Sequence, residues 1–464
     1  MDFLGELRKI VGDEGMLPKS EWARLVGDES PFLGRKPLAA VAPRTPEQIS
    51  GILKLCNKSR VNVVVRGAGS SLTGASVPKK SSIIIHMRNF NRIHEINIED
   101  RYAIVDPGVT IADLNRRLSQ HAYFYPPDPG SVEFASIGGT ISTNAGGLMA
   151  VMYGSTKEWV LGVEAVLADG SIIRTGGRVL KRSIGYDLTG LLVGSEGTLA
   201  VITKAILKIW PAPESSALAT AFYTNIEDAG ETIAMIKGGG VTPLAAEFLD
   251  RGAIELVAAR VKGFAAPKNA NYMLLVGVSS TREAVKRIAD QVSRELKRHG
   301  GFGVSVAYDQ RKIERVYFAR KEIFTIMKEG ADRKSQSIMI SDIVVPCSRL
   351  PIALSKMQEC SRKYRLATVL FGHIGDGNIH ANIVYDKRNR REVREMEKMQ
   401  EEFARIAIEN MGAVSGEHGI GIEKKALLKE EFTAEGTLAN LSLMKGIKKV
   451  FDPKGILNKG KIFD

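Results

Sequence analysis

Cysteine is scarce in this chain. Its three copies, Cys56, Cys347 and Cys360, form no CxxC pair and no ligand spacing. That excludes an iron–sulfur cluster held by the chain itself and a disulfide framework, and it fits thiols kept reduced inside a cell. Long apolar runs are missing too. No stretch of about 18 apolar residues occurs, so no membrane-spanning helix is expected. The first residues, Met1-Asp2-Phe3-Leu4-Gly5-Glu6, lack the basic and apolar regions of a signal peptide. The expected location is therefore cytoplasmic, with docking at a membrane surface left open. Basic residues outnumber acidic ones, 65 to 52. They are interspersed with Asp and Glu, and no run interleaves aromatics with Arg or Lys, so nucleic-acid binding is not expected. Anionic small molecules account for the basic excess equally well. Neither a Walker A loop nor a Rossmann fingerprint in a βαβ unit is present.

What the chain does have is glycine, clustered between positions 67 and 197, and histidine in two short motifs. The first motif is Phe371-Gly372-His373-Ile374-Gly375-Asp376-Gly377-Asn378-Ile379-His380-Ala381-Asn382. Asp376-Gly377 is a two-residue hairpin signal. If that turn forms, His373 lies directly opposite His380, with Cβ atoms about 4.5–5.5 Å apart, and Asn382 returns to the same face. Two imidazoles so placed can share a metal ion or simply hydrogen-bond. The second motif, Ser415-Gly416-Glu417-His418-Gly419-Ile420-Gly421, offers a third ligand in Glu417. Together the motifs favour a metal site over a structural pair.

Further upstream, the strand at 61–65 runs into Arg66-Gly67-Ala68-Gly69-Ser70-Ser71-Leu72-Thr73-Gly74. Absent side chains let backbone N–H groups converge on an anion there, with Arg66 and the hydroxyls as added donors. A capped helix is expected from Thr110 to Ala122. Pro129, Gly130 and the run Ile137-Gly138-Gly139-Thr140-Ile141-Ser142-Thr143-Asn144-Ala145-Gly146-Gly147 follow, then Gly154. Such small residues cannot fill a core and suggest backbone packed against a large flat or phosphorylated ligand. Val163–Thr175 reads as a hairpin turning at Asp169-Gly170, and Glu196-Gly197 precede a strand that carries Ile202. From about 214, strands alternate with amphipathic helices. One is expected over 282–300, apolar at Val285, Ile288, Val292 and Leu296 and stopped by Gly300. A long charged helix is expected over 392–411.

These motifs together resemble the family of FAD-linked D-lactate dehydrogenases, glycolate oxidase catalytic subunits and D-2-hydroxyglutarate dehydrogenases. The resemblance spans about 37 to 464 and includes the closing Gly455-Ile456-Leu457-Asn458-Lys459-Gly460-Lys461-Ile462. It implies an α+β protein: a two-subdomain FAD-binding domain of vanillyl-alcohol-oxidase type plus an α+β substrate cap. The expected division is an N-terminal helical arm at 1–38, the FAD domain at 39–213, the cap with its metal site at 214–437, and a return to the FAD domain at 438–464. The family pattern implies non-covalent FAD, since the loop has Ser70 and Ser71 and no His. The implied contacts are Arg66, Gly67, Ala68, Gly69, Ser70, Ser71, Gly74, Pro129, Gly130, Gly138, Gly139, Ser142, Asn144, Gly147, Gly154, Glu196, Gly197, Ile202 and Asn458.

The implied reaction is oxidation of a D-2-hydroxy acid to the 2-oxo acid, with hydride passing to flavin N5. A divalent cation on His373, His380 and Glu417 would be zinc, manganese or iron. His418 would serve as base, and Arg320 with Asn382 would hold the substrate carboxylate; a solvated helix charge is the rival reading of Arg320. The electron acceptor would be external: a quinone, a cytochrome, an electron-transfer flavoprotein or an iron–sulfur subunit. A homodimer is one option for assembly. Ile340 and Ser341 stand where the hydroxyglutarate branch carries a cationic group, which favours D-lactate or glycolate. The alternatives are D-2-hydroxyglutarate oxidation, or a flavin-binding electron-transfer subunit of a larger complex.

Overall fold

The computed structural model describes residues 2–260, 264, 266–334 and 336–463. The chain forms two compact units. The first holds 1–146, 154–212 and 417–464, and the second holds 147–153 and 213–416. The sequence reading carries the second domain to 437, whereas the chain returns to the first unit directly after Gly416. The cause is local: the amides of Ile420 and Gly421 donate to the buried Glu196 carboxylate, and the Ile462 amide donates to the Gly421 carbonyl.

In the first unit, three parallel strands (Ala39–Val41, Ile83–His86, Val63–Arg66) form one small sheet. Helix Pro46–Ser59 begins as its sequence dictates. The Thr45 hydroxyl accepts from the Gln48 amide, Pro46 sits in the first turn, and the buried face is Ile49, Ile52, Leu53 and Cys56. The N-terminal helix Phe3–Val11, expected as part of an arm, adds Leu7 and Val11 to that core. A second, antiparallel sheet has five strands, in the order Ile93–Asn97, Tyr102–Val105, Val201–Lys208, Val160–Val166, Ile172–Gly176. Its last pair is the hairpin expected at Asp169-Gly170, with Gly170 at φ +87°. Near the C-terminus, the Val63 amide donates to Ile456 and the Asn458 amide donates to the Val63 carbonyl.

The second unit is built on one seven-stranded sheet. Its strands in chain order are β1 (Ser215–Tyr223), β2 (Ala245–Asp250), β3 (Tyr272–Ser280), β4 (Phe302–Ala307), β5 (Ser337–Val344), β6 (Thr368–His373) and β7 (Asn378–Tyr385). Their spatial order is β4-β1-β3-β2-β6-β7-β5, antiparallel throughout. Helix Arg282–Arg298 packs on β1, β3 and β4 through Val285, Ala289, Val292 and Leu296, and Gly300 follows it at φ +82°. The long charged helix runs from Arg390 to Glu409. A central hairpin, β6–β7, thus stands between β2 and β5, and the side chains on one of its faces meet those of both neighbours.

Gly377 closes this hairpin at φ +88°, where a Cβ would fall 1.8 Å from the Val345 carbonyl oxygen. The left-handed conformation alone costs a side chain about 1–2 kcal/mol. Gly377→Ala is therefore expected to lower stability by more than that, because the obstruction is backbone. A thermal unfolding scan of both proteins checks it.

Candidate active site

The two histidines of the hairpin meet, though by another register than the Asp376-Gly377 signal predicts. His380 pairs with Phe371 and His373 with Asn378, so the connection is the four residues 374–377. The two-residue turn would need Gly375 to pair with Asn378. Instead the Gly375 amide donates to the Ala246 carbonyl, its own carbonyl accepts from Lys237, and the His373 carbonyl takes the amides of Asp376 and Gly377. A slip of one residue would have put the imidazoles on opposite faces; this slip is even, so they share one. The two Nε2 atoms lie 3.3 Å apart, with the ring planes at 88°.

Each imidazole has a carboxylate behind it. On β2, the fully buried Glu247 places one oxygen 2.5 Å from His373 Nδ1 and the other 2.7 Å from Arg320 Nη2. An ionised carboxylate can only accept, so Nδ1 carries the proton and the His373 Nε2 lone pair faces His380. On β5, Asp342 lies directly across from His380, 3.5 Å from its Nδ1. Asp342 also receives Asn378 Nδ2 at 2.8 Å, the Gly416 amide at 3.1 Å and the Ser415 hydroxyl at 3.3 Å. Gly416 is thereby tied to the sheet one peptide bond before Glu417.

Arg320 ends helix Gln310–Lys321 and is buried, with its guanidinium 4.4 Å from the centre of the Phe371 ring. The rival reading of a solvated charge is thus set aside. Its Nε has no hydrogen-bond partner among the described residues, nor has the carbonyl oxygen of buried Asn382, whose amide reaches Val369 at a long 3.4 Å. Buried polar atoms left open on one face as charged as this are what a small anionic or metal-bound ligand would satisfy. Two imidazole nitrogens backed by carboxylates suit a divalent transition metal. Sequence reasoning missed Glu247 and gave Asp342 no role. The available signal for the first was a lone carboxylate inside the apolar run Leu244-Ala245-Ala246-Glu247-Phe248-Leu249.

In the first unit, Glu417 and His418 are neighbours, with His418 Nε2 3.7 Å from Glu417 Oε1. Glu417 packs against Gly146, where a Cβ would meet its carboxylate at 2.8 Å, and the His418 carbonyl accepts from Thr73 Oγ1. Many side chains expected to touch a cofactor are committed within the protein. The Arg66 guanidinium, expected to reinforce the glycine-rich loop, turns to the carbonyls of Arg24, Leu25 and Gly27. These three carbonyls take up donors of both its Nη groups. Asn144 accepts from Ser155 and Lys157, Ser142 donates to Gly138, and Ser71 takes the amides of Thr73 and Ala75. Asn458 Nδ2 donates to the carbonyls of Ala75 and Glu196. Ile202 and Pro129 are buried, and Gly147 belongs to the second unit.

The backbone is what stays open. Among the described residues no acceptor meets the amides of Ala68, Gly69 and Ser70. Gly69, Gly74, Gly154 and Gly197 hold left-handed φ, while Gly130 has open space around it. A Cβ on Gly67 would strike the Ser136 hydroxyl at 2.2 Å, and one on Gly138 would strike Pro107 at 2.5 Å. Only glycine lets this loop lie against the start of helix Ile137–Thr143, whose Gly139 amide is capped by Ser136. A turn of free amides beside a close-packed glycine helix fits the pyrophosphate of a dinucleotide.

Comparison with known proteins gives a consistent result. The profile described as "FAD binding domain" matches residues 37–176, and that described as "FAD linked oxidases, C-terminal domain" matches 212–462. The chain is 36% identical to the glycolate oxidase subunit GlcD of Bacillus subtilis, covering all of this chain and 97% of that one. It is 33% identical to the D-lactate dehydrogenase of Archaeoglobus fulgidus, covering all of this chain and 99% of that one. In fold it is similar to p-cresol methylhydroxylase, with a TM-score of 0.79 at 18% identity, covering all of this chain and 96% of the other.

Two outcomes are expected. Glu247→Gln, which loosens the His373 tautomer, should weaken binding of zinc or manganese about 10–100-fold in a chelator competition titration. Burial pushes the Glu196 carboxyl up to about 6, against its amide donors and Lys461 and Lys424. A raised acid binds more protons folded than unfolded between its ordinary 4.5 and about 6, so its contribution to stability falls as pH rises through that window. Relative to Glu196→Gln, the protein should lose roughly 2 kcal/mol between pH 4.5 and 7 in urea unfolding.

Proposed function

The chain belongs to the FAD-linked oxidase family, and from that premise we propose that it oxidises a D-2-hydroxy acid, D-lactate or glycolate, to the 2-oxo acid. The observation that carries this reading is the row Arg320–Glu247–His373–His380 on one buried sheet face. Two tasks define the reaction. The hydroxyl proton must leave an alcohol of high pKa, and C2 must be held in one orientation while its hydride departs.

FAD, held by the backbone of 67–74 and 137–147, would supply the two-electron acceptor. A divalent cation on His373, His380 and Glu417 would supply the Lewis acidity that brings a hydroxyl pKa down toward neutrality. The rest falls to the chain's own residues. Glu247 holds the His373 Nδ1–H, and so keeps Nε2 basic and aimed. Arg320, already paired through Nη2, has its Nε to offer a carboxylate. Asn382 faces the same way with its carbonyl oxygen and would present a donor to a carboxylate after an amide flip. His418 would accept the hydroxyl proton, a role worth about 10²–10⁴ in rate.

A short substrate is favoured by what surrounds the cluster. Ile340 and Ser341 lie across from Asn382 and Ala381 and offer no cation to a second carboxylate. Lys328 and Arg333 are exposed on helix Ile323–Arg333. The electrons would leave to an external acceptor such as a quinone, a cytochrome or a separate subunit. The word "subunit" in the name of the Bacillus relative supports that separation.

The test is anaerobic mixing of the metal-loaded flavoprotein with D-lactate, L-lactate, glycolate and D-2-hydroxyglutarate while the flavin absorbance is followed. Bleaching by D-lactate or glycolate is expected; bleaching by hydroxyglutarate alone, or by none, overturns the substrate assignment. His418→Ala should slow that bleaching at least a hundredfold with FAD and metal retained, and an unchanged rate removes His418 as the base.

A further inference from the structure

Between the hairpin strand Ile172–Gly176 and helix Leu188–Leu192 of the first unit, the chain crosses ten consecutive exposed residues, 178–187. They include Val179, Leu180, Ile184 and Tyr186, exposed by 58%, 62%, 73% and 94%. Single exposed apolar residues are ordinary, but four in eight positions are not. Between Asp169 and Asp187 the charge has one sign. From Gly170 to Tyr186 there is no acidic residue, while Arg174, Arg178, Lys181 and Arg182 are all basic. Arg174 is paired with Glu164 and Arg178 with Glu95. Lys181 and Arg182 enter no ion pair among the described residues, and they stand between the two apolar pairs.

We propose that this loop docks the protein on an anionic lipid surface. Val179, Leu180, Ile184 and Tyr186 enter the headgroup boundary, and Lys181 and Arg182 take lipid phosphates. A lipid surface fits better than a protein partner for a geometric reason. The segment 177–187 has no helix or strand, so successive side chains do not line one face. A rigid partner needs a fixed complementary surface whose centre is depleted of lysine. A bilayer interface conforms to any protruding shape, accepts tyrosine at headgroup depth and attracts unpaired cations. Gly185, at φ +66° with open space around it, lets the chain turn between Ile184 and Tyr186. The insertion is shallow, because unpaired backbone amides cannot leave the hydrated region.

The experiment is co-sedimentation of the FAD-loaded protein with vesicles of phosphatidylcholine containing phosphatidylglycerol, compared with phosphatidylcholine alone. Binding to the anionic vesicles only, lost in 0.5 M salt on the order of the screening expected, supports the proposal. Lys181→Ala with Arg182→Ala should lower the partition about thirtyfold. Ile184→Ser with Tyr186→Ser should lower it at least tenfold, on the order of two buried side chains. All these positions are exposed, so unfolding temperatures should match the parent. An Ile184→Trp protein, quenched by brominated lipid beyond the parent's own tryptophans, would report insertion directly. Absence of vesicle binding, or binding that both double variants retain, overturns the proposal. So does a concentration-dependent dimer that Ile184→Ser with Tyr186→Ser abolishes without any lipid effect, which would assign the loop to a second copy of the chain.

Discussion

The cap's chemistry hangs on the two oxygens of Glu247. Removing a carboxylate from water costs several kcal/mol, and Glu247 is fully buried with an imidazole on one oxygen and a guanidinium on the other. Apolar residues of similar volume would serve stability as well or better. What the charges add is orientation. One oxygen selects the His373 tautomer, and the other anchors Arg320 in a place where a solvent-facing arginine would sample many rotamers. Phe371, two residues before His373 on β6, supports the guanidinium plane from below. A single carboxylate therefore orients both the His373 imidazole and the Arg320 guanidinium.

Much of this was legible in the sequence, and the failures have physical causes. That His373 and His380 share one face followed from a hairpin signal that selects the wrong turn. The local preference of Asp-Gly yields to tertiary bonds at Gly375, which β2 and Lys237 occupy. The inference survived because strand faces repeat every two residues and the slip was even. The helix expected over 282–300 was legible because its signals are local, an apolar stripe at helical spacing and a left-handed glycine after the last turn. Glu247 was not, because its partners are 73 and 126 positions away in the chain, and no local pattern reports contacts of that range. The same applies to the return at Gly416, which depends on Asp342 and Glu196.

The glycine-rich segments teach a different lesson. Their backbone was expected to lie against a ligand, and the side chains of Arg66, Ser71, Ser142, Asn144 and Asn458 are engaged in holding that backbone. Asn144, Glu196 and Asn458 all have left-handed φ, a conformation that costs a non-glycine residue energy unless its surroundings compensate. Here the compensation is visible. Asn458 bonds the Glu196 carbonyl, and Glu196 in turn takes two amides of the Ser415–Gly421 motif. The side chains of these motifs thus hold the glycine-rich backbone in place.

That arrangement explains why both glycine motifs and both histidine motifs must be read together. Asp342 fixes Gly416 from the second unit, and Glu196 fixes Ile420 and Gly421 within the first. Only 417–419 lie between these two clamps, and two of those three residues are Glu417 and His418. A loop clamped so tightly at both ends has few conformations left to lose, so holding Glu417 and His418 in place costs little further entropy. Glycine at 416, 419 and 421 is then required by contact. A Cβ would meet the Asn378 amide at 2.1 Å, the Glu196 carboxylate at 2.9 Å and the Thr73 carbonyl at 2.1 Å, respectively. The clamps can close only where no side chain intervenes, and the Gly-x-x-Gly-x-Gly spacing around Glu417 and His418 follows from that.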